Sequence, residues 1–66
     1  MATETVYVEL LDEDVDVWRP VEAEREDDYV MRLPDHAPEG EQWAFPSGTR
    51  VRWAQRSIGN VAVELA

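Results

Sequence analysis

The sequence predicts an all-β domain, and three observations carry that reading. Apolar side chains recur at every second position in separate windows, which is the period of a strand with one buried face. The windows are short and are divided by clusters of Asp, Pro, Gly and Asn, the residues that turn a chain. No stretch carries apolar residues at helical spacing for longer than a single turn.

The first window sets Val6, Val8 and Leu10 on one face and Tyr7, Glu9 and Leu11 on the other, and Asp12 to Asp14 then form a turn. Alternation resumes with Val15, Val17, Val21 and Ala23 inward and Asp16, Trp18, Pro20, Glu22 and Glu24 outward. Arg19 is the misfit on the apolar face. The proline that follows it has no N–H for the ladder, so a bulge or sharp bend is expected near Trp18 to Pro20. Arg25 to Asp28 is a charged loop leading to a third strand with Tyr29, Met31 and Leu33 inward, and Pro34 to Gln42 is a surface loop or a single helical turn.

Trp43 and Phe45 stand two apart before the turn Pro46-Ser47-Gly48. From Thr49 to Gln55, Val51 and Trp53 point inward and Arg50, Arg52 and Ala54 outward. A three-residue loop at Ile58 to Asn60, with Gly59 left-handed, then brings in Val61, Val63 and Leu65. That register places Trp53 opposite Leu65, Gln55 opposite Val63, and Glu64 beside Ala54 within reach of Arg52 and Arg56. Five short strands joined mostly by tight turns predict a small five-stranded SH3-like barrel, because closing the sheet hides its edges. The longer strands and helix of an OB-like barrel do not fit in this length.

The 66 residues form one domain, residues 1–66, and a chain of this size hides only about 60% of its extended surface on folding. A hydrophobic fraction of 44% beside 32% charged residues is globular, yet it leaves room for one small core and no deep enclosed pocket. Without cysteine there is no disulfide, thiolate metal site or thiol nucleophile, and without lysine no Schiff base or P-loop ammonium. No apolar run is long enough to cross a bilayer and the first residues lack the pattern of a secretion signal, so a cytoplasmic location is expected.

Charge is divided. Residues 1–41 hold fourteen acidic and three basic side chains, whereas residues 42–66 hold one and three, which makes up the net charge of -9. The acidic N-terminal part and the mildly basic C-terminal hairpin attract each other within one chain.

The run Val17-Trp18-Arg19-Pro20-Val21-Glu22-Ala23, followed by Trp43-Ala44-Phe45-Pro46-Ser47-Gly48 and Val51-Arg52, resembles a pattern found in a group of short bacterial proteins with no assigned activity. In that pattern a valine-rich strand ending in Leu-x-Asp/Glu precedes V-W-R-P-V-x-A, a tyrosine strand and W-x-F-x-x-G-x-x-V-R. The resemblance runs from Val6 to Arg52 and implies a compact β domain. The chain departs from it at Asp14, where the pattern has glycine, and at Trp53, where it often has cysteine.

Few residue groups suggest chemistry. Asp12, Asp14 and Asp16 match the first three acidic places of a calcium loop, but Val17 and Ala23 stand where that loop needs its glycine and its bidentate glutamate, so the run reads as a solvated turn. His36 lies between prolines in an expected loop, and neither Ser47 nor Ser57 has the context of an activated nucleophile. Arg50, Arg52 and Arg56, with Trp43 and Trp53 nearby, resemble a phosphate grip, but the overall charge repels polyanions and Glu64 offers internal pairing.

The outward residues Trp18 and Pro20 are the exception. Pairing Leu10 with Val15 sets Tyr7 beside Trp18, giving an aromatic patch rimmed by Glu9, Asp16 and Glu22. A bend at Arg19-Pro20 reverses the faces instead, turning Trp18 into the core and laying Arg19 along the rim. The sequence therefore predicts a non-catalytic protein-protein interaction module whose contact surface is Tyr7, Trp18, Arg19 and Pro20. It is expected to be a monomer or weak homodimer with an unidentified protein partner, no cofactor or metal, and no direct contact with nucleic acid or membrane. Two alternatives stand beside it: an acidic nucleic-acid mimic that inhibits a basic partner, and a homodimerising structural subunit.

Overall fold

A computed structural model describes residues 3–11 and 17–66. These contain five strands, β1 (Thr3–Leu10), β2 (Val17–Arg25), β3 (Val30–Arg32), β4 (Arg50–Arg56) and β5 (Gly59–Leu65), and no helix. Successive strands pair antiparallel in chain order, and a parallel bridge from Tyr7 to Val61 joins β1 to β5 and closes the ring. The accessible surface of 4537 Å² is close to the roughly 4,300 Å² expected of a folded chain of this mass, so the fold is fully compacted.

β1 and β2 pair without a break from Thr3 opposite Glu24 to Leu10 opposite Val17. Val6, Val8, Val21 and Ala23 are buried on the shared inner face, as the alternation predicts. Two expectations are corrected. Leu10 lies opposite Val17, not Val15; a slip of two residues leaves every side chain on its original face, so alternation alone cannot distinguish the registers. The bulge expected near Trp18 to Pro20 is absent. Among the described residues β3 joins β2 only at Glu24 and Arg25, so β2 has a strand on one side only from Val17 to Ala23. A proline is tolerated on such an edge, where its missing N–H removes no ladder bond.

The β2–β3 turn is built by Asp27. Its Oδ1 accepts the N–H groups of Tyr29 and Val30, both at 2.8 Å, while the Val30 carbonyl accepts those of Glu26 and Asp27. Tyr29 is thereby part of the turn and 71% exposed, which corrects its expected place in the core. Met31 and the adjoining Leu33 are buried as expected.

The β4–β5 hairpin also differs from expectation. Its turn is Ser57-Ile58, and Gly59 at φ +132° already belongs to β5. A Cβ at Gly59 would lie 3.1 Å from the Tyr7 ring, so the absent side chain lets that ring lie against the strand. Arg52 faces Glu64 but Trp53 faces Ala62, which leaves Val63 as the extra residue of a bulge. Trp53 is therefore not opposite Leu65, nor Gln55 opposite Val63. Past the bulge Ala62 is buried, while Val63 and Leu65, both expected inside, are 41% and 54% exposed.

The core consists of Val6, Val8, Val21, Ala23, Met31, Leu33, Trp43, Val51 and Ala62, with Leu10, Ala37, Phe45 and Trp53 packed on its margin. Trp43 arrives from the long connection between β3 and β4, and its segment docks on β1. Leu11 N–H donates to the Gln42 carbonyl and Ala44 N–H to the Glu9 carbonyl, each at 2.8 Å, around a bridge between Leu10 and Trp43.

Candidate functional site

The β1–β2 register fixes where the outward residues of β2 lie. Trp18 is opposite Glu9 and Pro20 opposite Tyr7, so Trp18 and Tyr7 are diagonal neighbours across the pair. Trp18 is 36% exposed and lies outside the core cluster, so the alternative in which a bend turns it inward does not occur.

An open groove of about 500 Å³ lies beside Trp18. Its apolar lining comes from β2 through Trp18, from the segment after Trp43 through Phe45, from the hairpin tip through Ile58, and from the β5 bulge through Val63. Glu9 and Arg56 supply its charges. Among the described residues neither enters an ion pair, whereas Arg19, Arg25, Arg32 and Arg50 all do. Among the described residues the Arg56 guanidinium donates one hydrogen bond, to its neighbour's carbonyl, Gln55 O, at 3.3 Å.

The predicted patch is divided rather than gathered. Arg19 and Pro20 line a smaller hollow of about 200 Å³ with His36, Pro38 and Trp43. There Arg19 pairs with Glu41 at 3.2 Å, and the other oxygen of Glu41 accepts the Trp43 indole N–H at 3.0 Å. One carboxylate thus ties the loop after β3 to the rim of β2, which explains an arginine on an otherwise apolar face. Tyr7 is half-buried against Gly59 and bridges to β5. Of the four predicted residues only Trp18 lines the larger groove, together with the expected rim acid Glu9.

Phe45, Arg56, Ile58 and Val63 were not expected at this site. Ile58 carries a legible signal, an apolar residue at a hairpin tip, where polar residues are usual. Val63 carries none, because its spacing from Val61 and Leu65 suggests an inward place, whereas the β4–β5 register sets Ala62, opposite Trp53, into the core.

The other candidate groups stay apart. Asp35 pairs with Arg32 at 3.1 Å, and His36 is exposed in the smaller hollow. Arg50 pairs with Glu26, while Arg52 stands opposite Glu64 in the ladder, two positions from Ala54, beside which the predicted register put that glutamate. Asp12, Asp14 and Asp16 lie outside the described residues, and among those described no three His, Asp or Glu side chains are grouped to hold a metal ion. Compared with protein families, curated proteins and solved structures, the chain matches none.

Proposed function

We propose that this chain is a non-catalytic protein-binding module, a small SH3-like barrel acting in the cytoplasm, whose contact surface is the groove at Trp18. The observation that carries the reading is the company Trp18 keeps: a partly exposed indole beside Phe45, Ile58 and Val63, with one carboxylate and one guanidinium at the margins. Aromatic anchors surrounded by apolar contacts and a polar rim are the usual source of binding energy between proteins. A small-molecule site encloses most of its ligand, whereas this groove is open along a 66-residue domain. Its two charged side chains have opposite signs, and among the described residues the Ser57 hydroxyl that lines it has no hydrogen bond to a base.

The reading is tested by affinity capture from cells that make the protein, comparing the native chain with Trp18→Ala. Capture of a defined protein should fall at least tenfold with the variant, on the scale of an aromatic hot spot, and should survive about 0.5 M salt. Capture that is indifferent to Trp18→Ala and collapses with salt identifies the acidic surface as the contact, the behaviour of a nucleic-acid mimic, and rejects the module.

A further inference from the structure

β5 has a strand on one side for most of its length. β4 pairs with it from Gly59 to Leu65, but β1 meets it only at Tyr7–Val61. Beyond that bridge β1 gives its edge to residues 42–44 instead, through the Gln42 and Glu9 carbonyl bonds. Among the described residues, the second edge of β5 from Val63 to Leu65 therefore has no strand neighbour.

The groove runs from the β4–β5 turn to the start of that edge, which it reaches at Val63. Neighbouring residues of a strand point to opposite faces, yet Val61, Ala62 and Val63 all line the groove, as they do when it runs along the strand's side at its bulge. An open edge offers backbone donors and acceptors in a fixed spacing, and the apolar side chains beside it offer pockets for alternate residues.

We propose that this groove takes an extended segment of a partner protein as a sixth strand that starts at Val63 and continues along Leu65. The segment has apolar residues at alternate positions, a basic side chain toward Glu9 and an acidic one toward Arg56. Those two groove charges are without ion pairs among the described residues and differ in sign, so they set the segment's direction. A second copy of this chain is the poorer occupant, because each copy carries a net charge of -9 and two copies repel. The inference rests on the module reading and names the form of its partner.

The probe is a blocked ten-residue peptide selected on the full chain from a random displayed library. Chemical shifts of the labelled chain should move at Val63 to Leu65, and amide exchange should slow at Leu65, whose N–H points away from β4. Methylating the peptide's backbone nitrogens at one alternate set of positions should weaken binding at least tenfold, and methylating the other set should change it about twofold or less, since only one set faces β5. Equal losses from both sets, protection elsewhere in the chain, or failure of any peptide to be selected overturns the strand-addition inference. A dimer in sedimentation, with the Leu65 amide protected in the absence of peptide, overturns it in favour of self-pairing. If partner capture still depends on Trp18 when strand addition fails, the module survives alone; if capture ignores both Trp18→Ala and Val63→Glu, both readings fall.

Discussion

Leu33 and Leu65 are alike in the sequence, each an expected inward residue of a strand, and the structure separates them. Leu33 is 1% exposed in the core and its N–H donates to Thr49, whereas Leu65 is 54% exposed beyond the β5 bulge. Truncating Leu33 to alanine removes buried methyl groups and leaves a cavity, which costs about 2–5 kcal/mol. A domain of this length holds roughly 3–10 kcal/mol in all, so Leu33→Ala removes a large part of it and lowers the melting temperature by about 10–25 °C. Leu65→Ala forfeits about half of a leucine's transfer free energy and opens no cavity, about 1 kcal/mol or less, or several degrees. Equilibrium urea unfolding and thermal melts of the two variants measure the difference. Equal losses would show Leu65 packed inside like Leu33 and would refute its exposed place near the end of β5.

Gly59→Ala should cost about 1–3 kcal/mol in urea unfolding, since the residue combines a positive φ with a ring 3.1 Å from its Cβ. Asp27→Ala should cost about 1–2 kcal/mol by leaving two turn N–H groups without their acceptor, while Asp28→Ala, whose ion pair is exposed, should leave the melting curve nearly unchanged. Glu41→Ala removes partners from both Arg19 and the Trp43 indole, so amide exchange of Leu11 and Ala44, which anchor that segment to β1, should quicken at least several-fold. Raising salt from about 0.05 to 0.5 M should increase the melting temperature by a few degrees, because screening relieves the repulsion of a chain at -9; a fall would show that the ion pairs outweigh that repulsion.

The face of each residue was legible in the sequence wherever alternation was unbroken. Val6, Val8, Val21, Ala23, Met31 and Val51 are inside for the reason their spacing suggests. Register was not legible in the first hairpin, since a two-residue slip changes no face, and the run of acids that separates its strands fixes no turn length. The second failure has the opposite cause. Val61, Val63 and Leu65 alternate cleanly, but the two-residue turn at Ser57-Ile58 sets Ala62 opposite Trp53 and into the core, and no local pattern records either that turn length or the extra residue at Val63. The candidate site inherits both limits. Trp18 was visible as an outward aromatic, and Ile58 stood out at its turn, but what brings them to one groove is the bulge and the docking of Phe45's segment on β1.

The bulge also bears on why an open edge is tolerated. An exposed strand edge with valine and leucine beside it is a template for pairing with another copy, and small β proteins avoid that outcome with charge, bulges or covering loops. Here the Arg19–Glu41 pair ties the loop after β3 to the edge of β2, whereas among the described residues β5 has the bulge and Glu64 beside its open edge. The remaining protection is global. Four of the six arginines are engaged in ion pairs with nearby acids, so the excess negative charge is left on the surface and falls on every copy alike. Like-charged copies are kept apart over a Debye length of about 8 Å, while a basic partner is drawn in across the same distance. On the reading proposed above, that acidity would also bias which chain reaches the groove. Neutralising it in part, by replacing Glu22, Glu24 and Glu39 with glutamine, should raise self-association in sedimentation at high protein concentration. An unchanged monomer would show that the bulge alone guards the edge.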